Sequence, residues 1–304
     1  MTRCDKCSYE SFYFQRYSGM HLCQKHFKED VERKIRSTIR KNKIKKGDKI
    51  AVALSGGKDS SVALYSFNNI FKNWKNLEIV AITIDEGISG YRDRAIENSR
   101  LLTKRLDIDQ RIVSFKEYFG YTTDEIASLE RDKGICSFCG VLRRKLLNEV
   151  ALEENATVLV TGHNLNDESE TVLLNIIKGD IERLARFSPS KVQEGLIPRL
   201  KPLSSIPEEE VILYAQLEDL PTKKERCPYI DEAMRFEIRQ IIKNLEEKHP
   251  GTRYAIMKSF YELEDVLRAK YSKKNLGKCK ICGSPCIGEI CQPCNLLSSI
   301  KKKI

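Results

Sequence analysis

Short apolar segments alternate with longer helix-like segments through the middle of this chain, and few folds accommodate that pattern. The segments KIAVAL, LEIVAITI, QRIVSF and TVLVTG, which begin at residues 49, 77, 110 and 157, are typical of buried strands. An amphipathic segment typical of a helix follows each of them. Strands that alternate with helices predict an α/β fold with a doubly wound parallel sheet, in which ligands bind at the carboxyl ends of the strands.

The segment SGGKDS, residues 55–60, stands at the end of the first predicted strand. Gly56 and Gly57 allow a turn that exposes successive backbone N–H groups at the start of the next helix, which suits a phosphate. Lys58 adds positive charge, and the neighbouring serines add hydroxyl groups. Asp59 would repel a bare phosphate, so we expect a bridging Mg²⁺. The alternative is a capped helix with a glycine turn and no ligand.

The eleven cysteines are unevenly distributed, with three in the first 26 residues, five in the last 26 and three between. The N-terminus lacks the apolar core of a signal peptide, and no apolar run is long enough to span a membrane. We therefore expect a cytoplasmic protein with reduced thiols. Reduced thiols in this number indicate metal or sulfur chemistry rather than disulfides.

Both ends of the chain carry two ligand pairs with the two-residue spacing of structural zinc sites. The eight predicted ligands are Cys4, Cys7, Cys23 and His26 at the N-terminus, and Cys279, Cys282, Cys291 and Cys294 at the C-terminus. Neither end can bury a core of its own, so zinc would supply folding free energy on the order of 10 kcal/mol. Four protein ligands leave no open coordination position, which predicts structural sites. His21 is an alternative to His26, and Cys286 has no predicted ligand role.

The net charge of +10 is concentrated at the same two ends. Residues 1–46 hold thirteen Lys and Arg against five Asp and Glu, residues 268–304 hold nine against one, and the remainder is net negative. Because the positive charge accompanies the predicted zinc modules, it favours a nucleic acid as the partner of the two ends. Solvated basic tails without a partner are the alternative.

Three cysteines remain in the middle, namely Cys136 and Cys139 in CSFC, and Cys227 before Pro228. The proline predicts an extended, exposed loop position for Cys227. The residues alone leave three interpretations open. A third zinc would need a fourth ligand such as His163, an iron–sulfur cluster would keep one iron open, and a persulfide-bearing cysteine pair would need no metal.

Together these parts resemble the TtuA/NcsA group of tRNA 2-thiouridine synthetases within the PP-loop ATP pyrophosphatases. The resemblance rests on the N-terminal Cys/His module, SGGKDS, CSFCGVLRR, GHNLNDE, RLKPL with the following IPEEEV, RCPY and the C-terminal four-cysteine module, and it covers nearly the whole chain. It implies a PP-loop/HUP-like domain between two zinc modules. It also implies an enzyme that uses ATP to adenylate a tRNA uridine and replaces its C2 oxygen with sulfur.

The resemblance assigns roles to individual residues. The implied catalytic residues are Asp59, Asp167, Arg143, Cys136, Cys139 and Cys227, and the three cysteines would hold a [4Fe-4S] cluster with one iron free for sulfide. The implied ATP-binding residues are Ala53, Ser55, Gly56, Gly57, Lys58, Asp59, Ser60, Ser61, Ile84, Gly162 and Asp167. Asn166 departs from the group, many members of which carry Asp there. The alternative for His163 and Asp167 is a capping role, and the alternative for Arg143 and Arg144 is a place on a solvated helix face.

The implied cofactors are ATP, Mg²⁺, a [4Fe-4S] cluster and two Zn²⁺. The expected partners are tRNA, a sulfur donor (sulfide or a ubiquitin-like carrier protein) and a second copy of the chain. A cluster-free thiolase that works through a persulfide, a PP-loop enzyme with an amine nucleophile and a non-catalytic zinc protein that binds RNA are the alternative functions.

The predicted organisation has five parts. They are an N-terminal zinc module (1–27), a basic helical linker (28–46), a catalytic domain (47–230), a helical extension (231–272) and a C-terminal zinc module (273–304). The linker helix is expected to face the body with Val31, Ile35 and Ile39. The extension predicts two helices separated at residues 249–251, which pack on the sheet domain or form a dimer face.

Overall fold

The computed structural model describes residues 2–41, 44–74, 76–131, 133–187, 194–222, 225–229, 234–271 and 276–301. Its strands are β1 (Tyr13–Gln15), β2 (Met20–Leu22), β3 (Lys49–Ala53), β4 (Glu78–Asp85), β5 (Asp109–Ser114), β6 (Val158–Val160), β7 (Arg199–Leu200), β8 (Gly277–Lys278) and β9 (Pro285–Cys286). Its helices are α1 (Gln24–Lys41), α2 (Lys58–Phe71), α3 (Arg92–Leu106), α4 (Phe115–Phe119), α5 (Thr123–Ser128), α6 (Ile135–Glu153), α7 (Leu165–Ile177), α8 (Ile181–Ala185), α9 (Glu208–Leu217), α10 (Met234–Lys248), α11 (Thr252–Tyr271) and α12 (Gln292–Lys301). None of these helices is long and apolar enough to cross a membrane.

A parallel sheet in the strand order β5-β4-β3-β6-β7 forms the centre of the protein. The chain builds one half of the sheet outward from β3 to β5 and then returns to build β6 and β7 on the other side. This topology confirms the predicted doubly wound α/β fold and places the switch point between β3 and β6, where such sheets bind ligands. The fifth strand, β7, was not predicted, because it has only two residues and lies between Pro198 and Pro202.

Helices cover both faces of the sheet. In β3, the buried Ile50 and Val52 contribute to one apolar layer with α1, α2 and α9, whereas Ala51 contributes to the opposite layer with α6 and α12. The predicted inward positions on α1, namely Val31, Ile35 and Ile39, are all buried. Helix α1 begins at Gln24 rather than at residue 28, because the carbonyl of Cys23 already accepts the N–H of Phe27 at 2.9 Å.

A buried polar network around Glu210 fastens the N-terminal module to the sheet domain. The carboxylate of Glu210 accepts hydrogen bonds from Gln15 Nε2 at 2.8 Å, from Tyr17 Oη at 2.7 Å and from Lys34 Nζ at 2.8 Å. Gln15 and Lys34 also contact the buried Asp30. Because each of these groups is partnered, their burial costs little, and the hairpin β1–β2, helix α1 and helix α9 are held in one arrangement.

The predicted helical extension forms two helices that pack on α7. Helix α10 ends at Lys248 and α11 begins at Thr252, so the chain breaks at the predicted turn. Met257 and Phe260 of α11 pack with α7 residues in a small apolar cluster, and Arg239 of α10 contacts Glu170 of α7 at 2.7 Å. The predicted domain limits at 230/231 and 272/273 lie outside the described residues, so the five-part division remains a prediction.

Candidate active site

The segment 55–60 forms a closed loop between β3 and α2. Ser60 Oγ accepts the backbone N–H of Ser55 at 3.1 Å and donates to the carbonyl of Gly57 at 3.0 Å, which ties the loop to itself. Gly57 is the N-cap of α2, and no side chain among the described residues caps that helix. The first N–H groups of α2, with the positive end of its dipole, are therefore available to an anion such as a phosphate.

Two glycines permit this loop to approach its neighbours closely. Gly56 has a φ of +77°, and a Cβ at that position would lie 1.9 Å from the carbonyl oxygen of Ala95 in α3. Gly162 follows β6, and a Cβ there would lie 2.7 Å from the carbonyl carbon of Asp59 and from the nitrogen of Ser60. The first turn of α2 and the residue two beyond the end of β6 therefore meet backbone to backbone at the switch point of the sheet.

Replacement of Gly162 by alanine is expected to separate this contact. Neither neighbour is a flexible side chain, so the loop or the end of β6 must shift, at a cost of about 1–3 kcal/mol in the free energy of unfolding. We expect binding of ATP to weaken by at least about tenfold, because the N–H groups of the loop lose their arrangement. Urea denaturation and ATP titration would measure the two effects.

Gly277→Ala is the matched control, since its nearest atoms would lie 3.9 Å from the new methyl group. ATP affinity that falls equally in both variants would contradict the assignment of Gly162 to the nucleotide site.

Two carboxylates lie at the mouth of the loop. Asp59 Oδ1 accepts a hydrogen bond from Asn164 Nδ2 at 2.8 Å, and Asp59 Oδ2 lies 3.0 Å from Lys58 Nζ. Asn164 caps α7, and its own backbone N–H donates to Asp167 Oδ2 at 3.2 Å. Burial raises the pKa of Asp59, and the negative charge of Asp167 adds to this rise against the opposing effect of Lys58. A divalent cation would relieve this like-charge repulsion.

A second acidic side chain, which sequence reasoning missed, holds Lys58. Glu208, the first residue of α9, accepts a hydrogen bond from Lys58 Nζ at 2.7 Å. Asn166 Oδ1 accepts the backbone N–H of Glu208 at 3.1 Å, so the residue that departs from the group pattern caps α9. Burial opposes the charge on Lys58, but Asp59 and Glu208 outweigh it and raise its pKa.

The paired thiols stand at the start of α6. This helix begins at Ile135, so Cys136 and Cys139, three residues apart, lie on one helical face. Cys136 Sγ donates to the carbonyl of Tyr229 at 3.2 Å, which brings the loop of Cys227 to the same place. Burial raises the pKa of the Cys139 thiol to about 11, and Cys227 is close enough to contribute to this rise.

The spacing of the thiols differs between the ends and the middle of the chain. The N-terminal and C-terminal sets of four predicted ligands each have all their ligand atoms within 4.8 Å of one another, as one metal ion requires. In the part of the chain that the structure describes, no such compact group contains the central cysteines or His163. The described residues therefore offer no compact set of four ligands for a third zinc at the central cysteines.

His163, the suggested fourth ligand of a third zinc, contacts Thr161. Its Nδ1 lies 2.9 Å from the hydroxyl of Thr161, and burial together with nearby basic groups, Lys201 foremost, lowers its pKa to about 3. The ring is therefore neutral at pH 7 and positioned by Thr161. His21 stacks on Phe14 at 4.5 Å between ring centroids and lies outside the N-terminal set that contains His26.

The buried carboxylate of Glu86 connects the phosphate loop, residues 55–60, to the thiol helix, α6. Glu86, which is 3% exposed, forms ion pairs with Arg92 at 2.7 Å and with Arg143 at 3.2 Å. Arg92 also donates to the carbonyls of Ser55 and Ile84, so it ties the loop to the end of β4. Burial opposes the charge on Arg143, but Glu86 outweighs it and raises its pKa. Asp85, in contrast, caps its own turn by accepting the N–H of Gly87 at 2.9 Å.

The remaining predicted nucleotide residues surround the same loop. Ala53 ends β3, Ile84 lies next to the end of β4, and Ser61 is buried in the first turn of α2. The predicted nucleotide residues and the central thiols thus lie in one cleft at the carboxyl edge of the sheet, where Glu86 and Arg92 link the two groups. Sequence reasoning missed Glu86, Arg92 and Asn164, of which only Asn164 left a local signal, as the start of an Asn-x-x-Asp capping box.

Comparison with protein families gives two matches. Residues 27–246 match the family model described as a PP-loop domain. Residues 3–28 match the model described as the N-terminal LIM domain of the 2-thiouridine synthetase TtuA. Between them, the two models cover the N-terminal metal module and the sheet that carries the cleft.

Relatives match along the full chain. The tRNA 2-thiolation protein NcsA of Haloferax volcanii is 38% identical over 98% of this chain and 99% of its own. The tRNA-5-methyluridine(54) 2-sulfurtransferase of Pyrococcus horikoshii is 34% identical over 99% of this chain and 95% of its own. The structure of the U34-tRNA thiolase NcsA from Methanococcus maripaludis with its [4Fe-4S] cluster matches with a TM-score of 0.86 and 37% identity, over 99% of this chain and 97% of that chain. The cleft that joins the loop at residues 55–60 to helix α6 agrees with these matches. Together they show that the chain belongs to the TtuA/NcsA family of PP-loop sulfurtransferases.

Proposed function

We propose that this sulfurtransferase uses ATP to adenylate a uridine of tRNA and then replaces the C2 oxygen of that uridine with sulfur, giving 2-thiouridine. The observation that carries the proposal is the single cleft in which the phosphate loop and the three central thiols are joined through Glu86. Replacement of a carbonyl oxygen by sulfur needs both an activating nucleotide and a sulfur site next to it.

The first half of the reaction is assigned to the loop side of the cleft. The free N–H groups of α2 and the ammonium of Lys58 would hold the phosphates of ATP, while Asp59 and Asp167 would bind Mg²⁺. The O2 atom of the uridine would attack the α-phosphorus, and pyrophosphate would leave. Lys58 exchanges its contacts with Asp59 and Glu208 for phosphate oxygens in this step.

The second half is assigned to the thiol side. Cys136, Cys139 and Cys227 would hold a [4Fe-4S] cluster, since three free thiols that lie in one region are the number that such a cluster with one open iron needs. When bound, the cluster supplies an open iron that concentrates and orients sulfide. Arg143, four residues beyond Cys139, places positive charge where AMP departs as sulfur adds to C2. The end of α6 that carries both cysteines has no side-chain cap among the described residues, so its dipole favours anionic sulfur there.

The two ends of the chain complete the proposal. Each four-ligand set would bind one structural Zn²⁺, and the basic modules around them would grip tRNA. Free sulfide or a ubiquitin-like carrier protein would donate the sulfur. We also propose a cytoplasmic location, a homodimer, and the five-part division of the chain given above.

Anaerobic purification followed by metal analysis tests this function. We expect about four iron, four sulfide and two zinc per chain, because three thiols suit a cluster and each terminal set of ligands suits one zinc. Incubation of that preparation with ATP, sulfide and an unmodified tRNA transcript should yield one 2-thiouridine per tRNA by mass spectrometry of nucleosides.

Omission of ATP is the control, and it should leave the transcript unmodified. Full thiolation by a preparation without iron would instead support the persulfide alternative. Tight tRNA binding without AMP formation would support a non-catalytic zinc protein.

A further inference from the structure

Several arginine side chains lie near enough to Arg144 of helix α6 to repel its charge. The members of this arginine cluster are Arg143, Arg144, Arg183, Arg199 and Arg235. Burial and repulsion from the other four lower the pKa of Arg144 to about 10, and burial lowers the pKa of Arg199. Two members of the cluster, Arg144 and Arg199, also line one groove beside α6, where a bound anion would relieve the repulsion between them.

Helix α6 carries two functional faces. Cys136, Cys139 and Arg143 recur at intervals of three and four residues and face the cleft. Arg144 and Asn148, also four residues apart, lie on the adjacent face. A molecule that contacts the second face therefore lies beside the face that carries the thiols.

A groove runs along that second face. Helix α6, residues 195–199 and the C-terminal module enclose a cavity of about 520 Å³. Asn148 holds the wall of the groove in place, since its Nδ2 donates to the carbonyl of Gly195 at 2.9 Å and its Oδ1 accepts the N–H of Ile197 at 2.9 Å. Arg199 donates to the backbone carbonyl of Arg144 at 3.3 Å, and both arginines line the groove.

No carboxylate among the described residues of the groove is paired with its two arginines. Lys145 neutralises the one carboxylate in its lining, Glu149, and also donates to Ser284 Oγ at 2.8 Å in the C-terminal module. Among the residues that the structure describes, neither Arg144 nor Arg199 forms an ion pair with a carboxylate. Two arginines that line a groove and have no carboxylate partner among its described residues match the geometry and the charge of phosphate groups.

We propose that Arg144 and Arg199 bind backbone phosphates of the substrate RNA in the groove between α6 and the C-terminal module. This inference rests on the proposed function, because that function supplies the RNA. A strand held there would pass from the basic C-terminal module to the cleft and bring the target base to the thiol face of α6. Phosphate contacts carry no sequence information, so both arginines are positioning residues that set the register of the RNA. An acidic protein is the competing occupant, and the experiment below separates the two.

The test is the salt-dependent affinity of the full-length holoenzyme for an unmodified tRNA transcript, measured by fluorescence anisotropy. R144Q and R199Q should each weaken binding by about tenfold and reduce the slope of log K against log salt concentration by about one. The double variant should lose about two in slope. R100Q removes the same charge from an exposed position on α3, outside the cluster, and should leave both quantities unchanged.

Iron content, zinc content and melting temperature serve as readouts of structure in all variants. Affinity and slope in R144Q and R199Q that equal those of R100Q would overturn the proposal and favour the acidic protein. If the wild-type protein thiolates tRNA and R144Q binds tRNA with normal affinity, the proposed role of the groove is refuted and the proposed function stands. If R144Q loses tRNA binding but the wild-type protein does not thiolate tRNA, the role of the groove is supported and the proposed function is refuted.

Discussion

Replacement of Cys227 by alanine is expected to abolish thiolation of tRNA, a loss of at least about a thousandfold in kcat/KM, because two thiolates do not hold a cluster that needs three. Cys227 is half-buried in a loop and is not among the buried core residues, so the fold should persist. We expect the iron and sulfide content to fall to near zero and the zinc content to stay at two per chain. Metal analysis and nucleoside mass spectrometry of the same preparation would report both outcomes.

Cys286→Ala is the matched control for the loss of one thiol. Cys286 is buried in the C-terminal module, where its Sγ lies 3.3 Å from the carbonyl of Gly288, and it is not among the four ligands gathered there. Its replacement should leave iron content and thiolation unchanged. Normal activity of Cys227→Ala would refute the cluster role and with it the second half of the proposed reaction.

Replacement of Glu86 by glutamine is expected to cost about 3–5 kcal/mol in the free energy of unfolding. The variant leaves Arg92, which is 4% exposed, with a buried charge and no carboxylate partner, and breaking a buried pair in this way has that typical cost. Arg143 loses the same partner, so thiolation should fall as well. Urea denaturation measures the stability, and ATP-dependent AMP formation measures the activity.

Glu247→Gln is the control for this change. The pair of Glu247 with Lys243 on α10 lies 3.9 Å apart with both side chains about 60% exposed, and such pairs contribute less than about 1 kcal/mol. A destabilisation by Glu86→Gln no larger than that of Glu247→Gln would contradict the connecting role of Glu86.

The sheet could be predicted because its signals are local. Each of the four predicted strands is a short apolar segment followed by a helix, and hydrophobic burial makes that pattern reliable. Strand β7 has no such pattern, since Arg199 and Leu200 pair with β6 only after the rest of the sheet exists. The helical conformation of CSFCG is not evident from its sequence, which is typical of a metal-binding turn, because it depends on burial of Ile135 and Phe138 against the rest of the protein.

The site could be predicted in part for the same reason. Consecutive residues such as Gly56, Gly57 and Lys58 indicate a phosphate-binding loop directly from the sequence. Glu86 and Arg92 could not be found that way, because their importance depends on partners in other elements, as does that of Glu208. A charged residue just beyond a buried strand is a weak signal until the structure shows what it neutralises.

The network around Glu210 gives the N-terminal module a property that a module on a flexible tether lacks. With Gln15, Tyr17 and Lys34 all bound to one fully buried carboxylate, the hairpin cannot pivot independently of the sheet. An RNA molecule that touches the hairpin and also reaches the cleft must span a distance that the protein dictates. The protein would then select its RNA substrate by the distance between these two contacts, before any base is recognised.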